Sequence, residues 1–127
     1  VAGGTPPRLR VVRFEGEHAE RAYQMAHDIV ATYRPPSVSQ ERQALGVYDK
    51  LVAIGEPRGE RINGVEFLTL RPDADPFVEL TEAERDLLLA EVRSFKPPTI
   101  GIRVKDALVE ALENAGQAEG AAAEAAG

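Results

Sequence analysis

The chain has 127 residues, of which 43% are hydrophobic and 28% charged, and its formal net charge is −6. That size and balance suit one globular domain with its own core, and the acidic charge argues against duplex nucleic acid as a partner. There is no cysteine, which excludes disulfides, thiolate nucleophiles and Cys-ligated zinc and fits the cytoplasm or a particle assembled inside a cell, while no apolar run approaches the roughly 20 residues of a membrane span.

Residues 1–7 combine Gly, Thr and Pro without periodicity, lack the apolar centre of a signal peptide, and read as a flexible leader. Arg8 to Phe14 is predicted as a strand, β-branched at Val11 and Val12, ending in a turn at Glu15-Gly16. A first helix is predicted over Glu17–Tyr33 on the stripe Ala19, Ala22/Tyr23, Ala26, Ile29/Val30 and Tyr33. Pro35 stops it, because proline pushes its predecessor out of the α region. A second helix is predicted from Ser37, where Ser with Gln40 three residues on is a capping pattern. Its expected core stripe is Ala44/Leu45, Tyr48 and Leu51/Val52, with Gly46 inside it at a cost of about 1 kcal/mol relative to Ala unless close packing requires it. Gly55 is expected as its C-terminal stop, reinforced by Pro57.

Asn63-Gly64 is a hairpin signal, with a short charged arm from Gly59 to Ile62 and a clear one from Val65 to Leu70. Phe77 to Leu80 is expected to pair antiparallel with the latter. Both strands are largely apolar on both faces, which calls for cover from helices or a partner. Thr81-Glu82-Ala83-Glu84 is a full capping box opening a third helix to about Phe95 on Leu87/Leu88, Val92 and Phe95. After Pro97-Pro98 comes a fourth helix over Ile102–Ala115 on Val104, Ala107/Leu108 and Ala111/Leu112, or else a short strand through Ile100 and Ile102. Gly116 is expected to end it, and residues 117–127 form an Ala/Glu/Gly tail expected to be disordered.

The chain repeats itself in outline. Ala19-Glu20-Arg21 and Ala83-Glu84-Arg85 open helices that end at Tyr33-Arg34-Pro35-Pro36-Ser37 and Phe95-Lys96-Pro97-Pro98-Thr99, the second helix of each half closes on a spaced glycine pair, Gly55/Gly59 and Gly116/Gly120, and the landmarks lie 61 to 64 positions apart. This suggests two β-α-α units, 8–59 and 65–120, within one domain spanning 8–116. The fold expected is α+β: a small, mainly antiparallel sheet packed by two helical hairpins.

Residue types that carry chemistry do not assemble into a motif. His18 and His27 are nine residues apart, about 900° around a helix, and point to opposite faces. His27, Asp28 and Tyr33 would make an acid–base group only if a cleft exposed them; the simpler reading places His27 beside the buried stripe. Asp73 and Asp75 are a fragment of a calcium loop without its Gly and terminal Glu, and read as turn residues. Gly55 and Gly59 lack the strand–loop–helix setting of a phosphate loop. Arg8, Arg10 and Arg13 can hold an anion or simply keep a strand edge soluble. Glu60, Glu66 and Glu79 would form a carboxylate pair only in a suitable strand register. No metal or cofactor is expected.

These observations point to a non-catalytic protein–protein interaction or assembly module, such as an accessory, regulatory or structural subunit, including one of a viral particle. Its expected interface, with a protein partner or a second copy, is the apolar hairpin residues Val65, Phe67, Leu68, Leu70, Phe77 and Val78. The competing reading is a small enzyme or ligand-binding domain using carboxylates and His27 in a cleft. A mimic of nucleic acid would need its carboxylates on one face, whereas here they alternate with arginines.

Overall fold

The computed structural model describes residues 9–62 and 65–117, and side chains outside 60–65 and 117. The leader, the Asn63-Gly64 turn and residues 118–127 of the expected tail lie outside the described residues. The elements run β1 (Leu9–Arg13), α1 (Ala19–Thr32), α2 (Val38–Ala53), β2 (Gly55–Ile62), β3 (Val65–Leu70), β4 (Phe77–Thr81), α3 (Glu82–Ser94), a 3₁₀ turn at Thr99–Gly101, α4 (Ile102–Glu113) and β5 (Gly116–Gln117). Four helices with two small antiparallel sheets make this an α+β fold.

The strand pairing differs from expectation. β4 does not pair with β3. It pairs antiparallel with β1, from Leu9 opposite Thr81 to Arg13 opposite Phe77. β5 adds to the other edge of β1 through Arg10–Gln117 and Val11–Gly116, where the sequence suggested only a helix stop and a tail. The second sheet is the β2–β3 hairpin. β2 begins at Gly55, four residues before the arm read from sequence, and its register breaks between Pro57 and Arg61. Gly59 occupies that break with φ 86°, a conformation open to glycine, so the extra residues are absorbed as a bulge.

α2 stops at Gly55 as expected, with Ile54 closing it at φ −110° and ψ 10°, although Gly55 is not in the left-handed conformation of a glycine cap. Gly55 also gives room to Tyr23: a Cβ there would lie 2.0 Å from the Tyr23 hydroxyl. That hydroxyl is buried and donates to the carbonyl of Leu51 at 2.5 Å.

The helices enclose one core. Val12, Val78 and Leu80 from the first sheet meet Ala22, Tyr23, Ala26 and Val30 of α1, Val47 and Leu51 of α2, Leu88 and Val92 of α3, and Leu108 and Leu112 of α4. Phe14 meets Tyr23 edge to face, with centroids 5.6 Å apart. α1 packs on α2 and α4, and α3 packs on α4 and α2. Both Pro-Pro corners leave their helix through an extended residue, Tyr33 at φ −66°, ψ 136° and Phe95 at φ −73°, ψ 133°. The entries differ. α1 follows a turn with Gly16 at φ 86° and has no side-chain cap, whereas α3 continues directly from β4.

The capping box at that junction is complete. Thr81 Oγ1 accepts from the Glu84 amide at 3.1 Å, and the Thr81 amide donates to Glu84 Oε1 at 2.8 Å. Glu84 is also buried, and Lys50 of α2 donates to the same oxygen at 2.7 Å. The other carboxylate oxygen lies over Gly46, where a Cβ would approach it to 1.9 Å. A side chain at position 46 therefore fits only if the Glu84 carboxylate moves. At α2 the box is half made: Ser37 Oγ accepts from the Gln40 amide at 3.2 Å, while its hydroxyl donates to the Gln40 side chain at 2.8 Å.

Two stability outcomes follow from this junction. Thr81→Ala should lower stability to chemical denaturation by about 0.5–2 kcal/mol, with Thr81→Ser near wild type. An unchanged midpoint and slope for Thr81→Ala would contradict the cap. Gly46→Ala raises helix propensity yet forces the Glu84 carboxylate off both partners, so urea unfolding should show a net loss of about 1–3 kcal/mol; a gain would mean that Glu84 relaxes freely.

Candidate functional site

The residues expected to form a hairpin interface are largely used by the fold itself. Leu68 and Val78 are buried in the core, and Leu70 packs against it. β4 alternates, with Val78 and Leu80 buried on one face and Phe77 and Glu79 on the other. Phe67 and Phe77 are half-buried, and each ring carries a guanidinium: Arg58 at 5.2 Å and Arg13 at 5.6 Å. The side chain of Val65 lies outside the described residues. The expected patch is therefore dispersed over two sheets and partly covered by arginines.

His27 is completely buried. Its ring tilts against Tyr48 with centroids 5.6 Å apart, Nδ1 lies 3.3 Å from Asp28 Oδ1, and Nε2 has no hydrogen-bond partner. Asp28 is engaged by Arg58, whose Nη2 donates to Oδ1 at 2.8 Å and Oδ2 at 3.1 Å. The network continues outward. Arg58 Nη1 donates to Gln24 Oε1 at 3.3 Å, Gln24 Nε2 to Thr69 Oγ1 at 3.0 Å, and the Thr69 hydroxyl to Glu20 at 2.7 Å. This chain of polar contacts fastens the β2–β3 hairpin to the outer side of α1. An open groove of about 820 Å³ lies beside it, lined in part by Asp28, Arg58, Tyr33 and Glu91. A general base must reach the proton it abstracts; His27 does not line this groove, and the Asp28 carboxylate in it is already held by a cation.

The other polar candidates are separated. Arg10 donates to Glu82 at 3.0 Å and to the Ala115 carbonyl at 3.3 Å, while Arg13 lies over Phe77, so these two do not converge on an anion; Arg8 lies outside the described residues. Glu66 and Glu79 belong to different sheets, and the Glu60 side chain lies outside the described residues. Asp73 pairs with Arg71 at 3.3 Å, and the Asp75 carbonyl accepts from the Phe77 amide at 2.8 Å, as turn residues do. Among the described residues no three of the His, Asp and Glu side chains gather as a metal site, and no helix is long and apolar enough to cross a membrane.

What the expected core stripes missed is on α2. Its buried face is Ala44, Val47 and Leu51. Leu45 and Val52, expected inside, are outside, as is Val38: Val38 is 63% exposed, Leu45 60% and Val52 39%. These three recur every seven residues, so they form one stripe along the helix, and that repeat was the available signal. A second groove of about 740 Å³ runs beside the stripe toward α1, lined by Val38, Leu45, Tyr48, Pro35, Tyr33 and Glu66 among others. The corner between α3 and α4 also exposes apolar groups, with Ile100 at 79% and Ile102 and Phe95 less so. Compared with protein-family models, curated proteins and solved structures, the chain matches none of them.

Burial pushes the Tyr23 hydroxyl up to about 12, against the opposing pull of the Arg58 and Arg71 guanidiniums. The unfolded chain releases this proton near the ordinary tyrosine value of about 10. Between these values the unfolded state holds fewer protons, so Tyr23 contributes stability that is intact below about pH 10 and is lost as pH rises toward about 12. Tyr23→Phe should cost about 1–3 kcal/mol at neutral pH by leaving the Leu51 carbonyl without its donor. The gap between wild type and variant in urea unfolding should narrow from pH 9 to 11. A gap that stays constant over this range would place the Tyr23 hydroxyl in water.

Proposed function

We propose that this chain is a non-catalytic protein–protein interaction or assembly module that docks through the outer face of α2. One observation carries the reading: a surface helix whose inner face is fully packed also presents Val38, Leu45 and Val52 in line, beside an apolar groove. Single exposed apolar residues are ordinary, but an aligned row bordered by charge is the pattern of a helix-mediated contact. Support also comes from the polar side of the molecule, where Asp28 is held by Arg58 and His27 is buried away from the groove. A small accessory, regulatory or structural subunit working inside the cell, or in a particle produced there, fits this description.

The test is affinity purification from the native source with the wild-type chain, with Leu45→Glu/Val52→Glu, and with Lys96→Glu at the exposed corner between α3 and α4 as a control. A protein recovered with wild type and control should be absent from the α2 variant. Each exposed substitution should change stability by no more than about 0.5 kcal/mol, checked by thermal melting. Equal recovery with a folded α2 variant rejects α2 as the docking face.

A further inference from the structure

We infer that the occupant of the α2 face is a second copy of this chain, with the two α2 helices antiparallel about a two-fold axis at Leu45. The inference rests on the reading of α2 as a docking face and specifies what docks there.

The pattern on the helix is palindromic in chemistry. At about 100° per residue, Val38, Leu45 and Val52 fall within about 40° of one another. Asp49 and Arg42 border this stripe on one side, and Glu41 and Tyr48 on the other. Arg42, Asp49 and Glu41 are exposed and Tyr48 is half-buried. Arg42 and Asp49 are seven residues apart, about 10 Å along the axis, and make no side-chain ion pair with each other or with other described residues.

Centring an antiparallel pair on Leu45 sets Leu45 against Leu45 and Val38 against Val52 of the second copy. A two-fold perpendicular to the helices brings like flank to like flank. On one flank Arg42 then faces Asp49 of the second copy, twice. On the other, the Tyr48 hydroxyl faces the Glu41 carboxylate, twice. All four flank contacts are complementary, in a register already chosen by the apolar residues. A parallel pair would set Arg42 against Glu41 instead and would align the two helix dipoles side by side, which is unfavourable. One helix pair buries an area at the low end of specific interfaces, below about 1,200 Å², so the dimer is weak and concentration-dependent.

Sedimentation velocity on the full chain from about 10 μM to about 1 mM, the range of weak association, should show a monomer–dimer equilibrium. Arg42→Glu and Asp49→Arg should each weaken it about tenfold, and the double reversal should return it to within about twofold of wild type, since both ion pairs are rebuilt with their signs exchanged. The absence of cysteine allows an orientation test with a short bis-maleimide. Leu45→Cys should cross-link to itself. Val38→Cys should not, because its own copy lies about 21 Å away, but should cross-link when mixed with Val52→Cys. A chain that stays monomeric throughout overturns the inference and leaves α2 docking to be decided by the co-purified proteins. Self-cross-linking of Val38→Cys, or no rescue by the double reversal, also overturns it. A dimer that survives Leu45→Glu overturns it as well, and removes self-association as support for α2 docking.

Discussion

The buried carboxylate of Glu84 organises the middle of the molecule. A carboxylate withdrawn from water is strongly destabilising unless polar partners surround it. Glu84 obtains them from two directions, the Thr81 amide where β4 becomes α3 and the Lys50 ammonium from α2. Gly46 clears the space in which the carboxylate sits. One side chain thus ends a strand, begins a helix and sets the distance of a second helix. Because β4 pairs with β1, the same contact relates α2 to the central strand. The rotation of α2 about its axis, which puts Val47 inside and Leu45 outside, follows from which of its residues must face Glu84.

The opposite side of the molecule is held by a longer polar chain. Arg58 joins Asp28 and Gln24 of α1 to the bulged strand β2, and Thr69 of β3 completes the link to Glu20. Among the described side chains of the hairpin, Leu68 is buried in the core and Leu70 packs against it, and the polar chain adds directional contacts to that apolar seat. Phe67 serves as a platform for Arg58.

Local signals in the sequence were faithful where a few neighbouring residues decide the outcome. The Thr81–Glu84 box, the two Pro-Pro corners and the helix spans are all of this kind. Strand partnership was not legible. β4 has backbone groups that either β3 or β1 can pair, and the choice goes with long-range packing, in which α2 and α3 lie on β4 while α1 lies on β3. Gly55 and Gly46 were visible as glycines, but the atoms that a side chain there would meet, the Tyr23 hydroxyl and the Glu84 carboxylate, lie far away in sequence. The exposed row on α2 was hidden by overlap. Ala44 next to Leu45 and Leu51 next to Val52 make a broad apolar arc, and periodicity alone does not say which edge of the arc is buried. The candidate site lay in the half of that arc read as core.

The Tyr23–Gly55 contact has a consequence for how this sequence can drift. The hydroxyl occupies the space of a side chain at position 55, so the two positions do not vary independently. A methyl group at 55 is compatible with the fold only if residue 23 has first given up its oxygen and yielded at the ring edge. A polar tip at 23 in turn confines 55 to glycine. Substitutions must therefore be accepted in a fixed order, and the intermediate, a phenylalanine facing the bare Leu51 carbonyl, is the less stable state through which any such change has to pass.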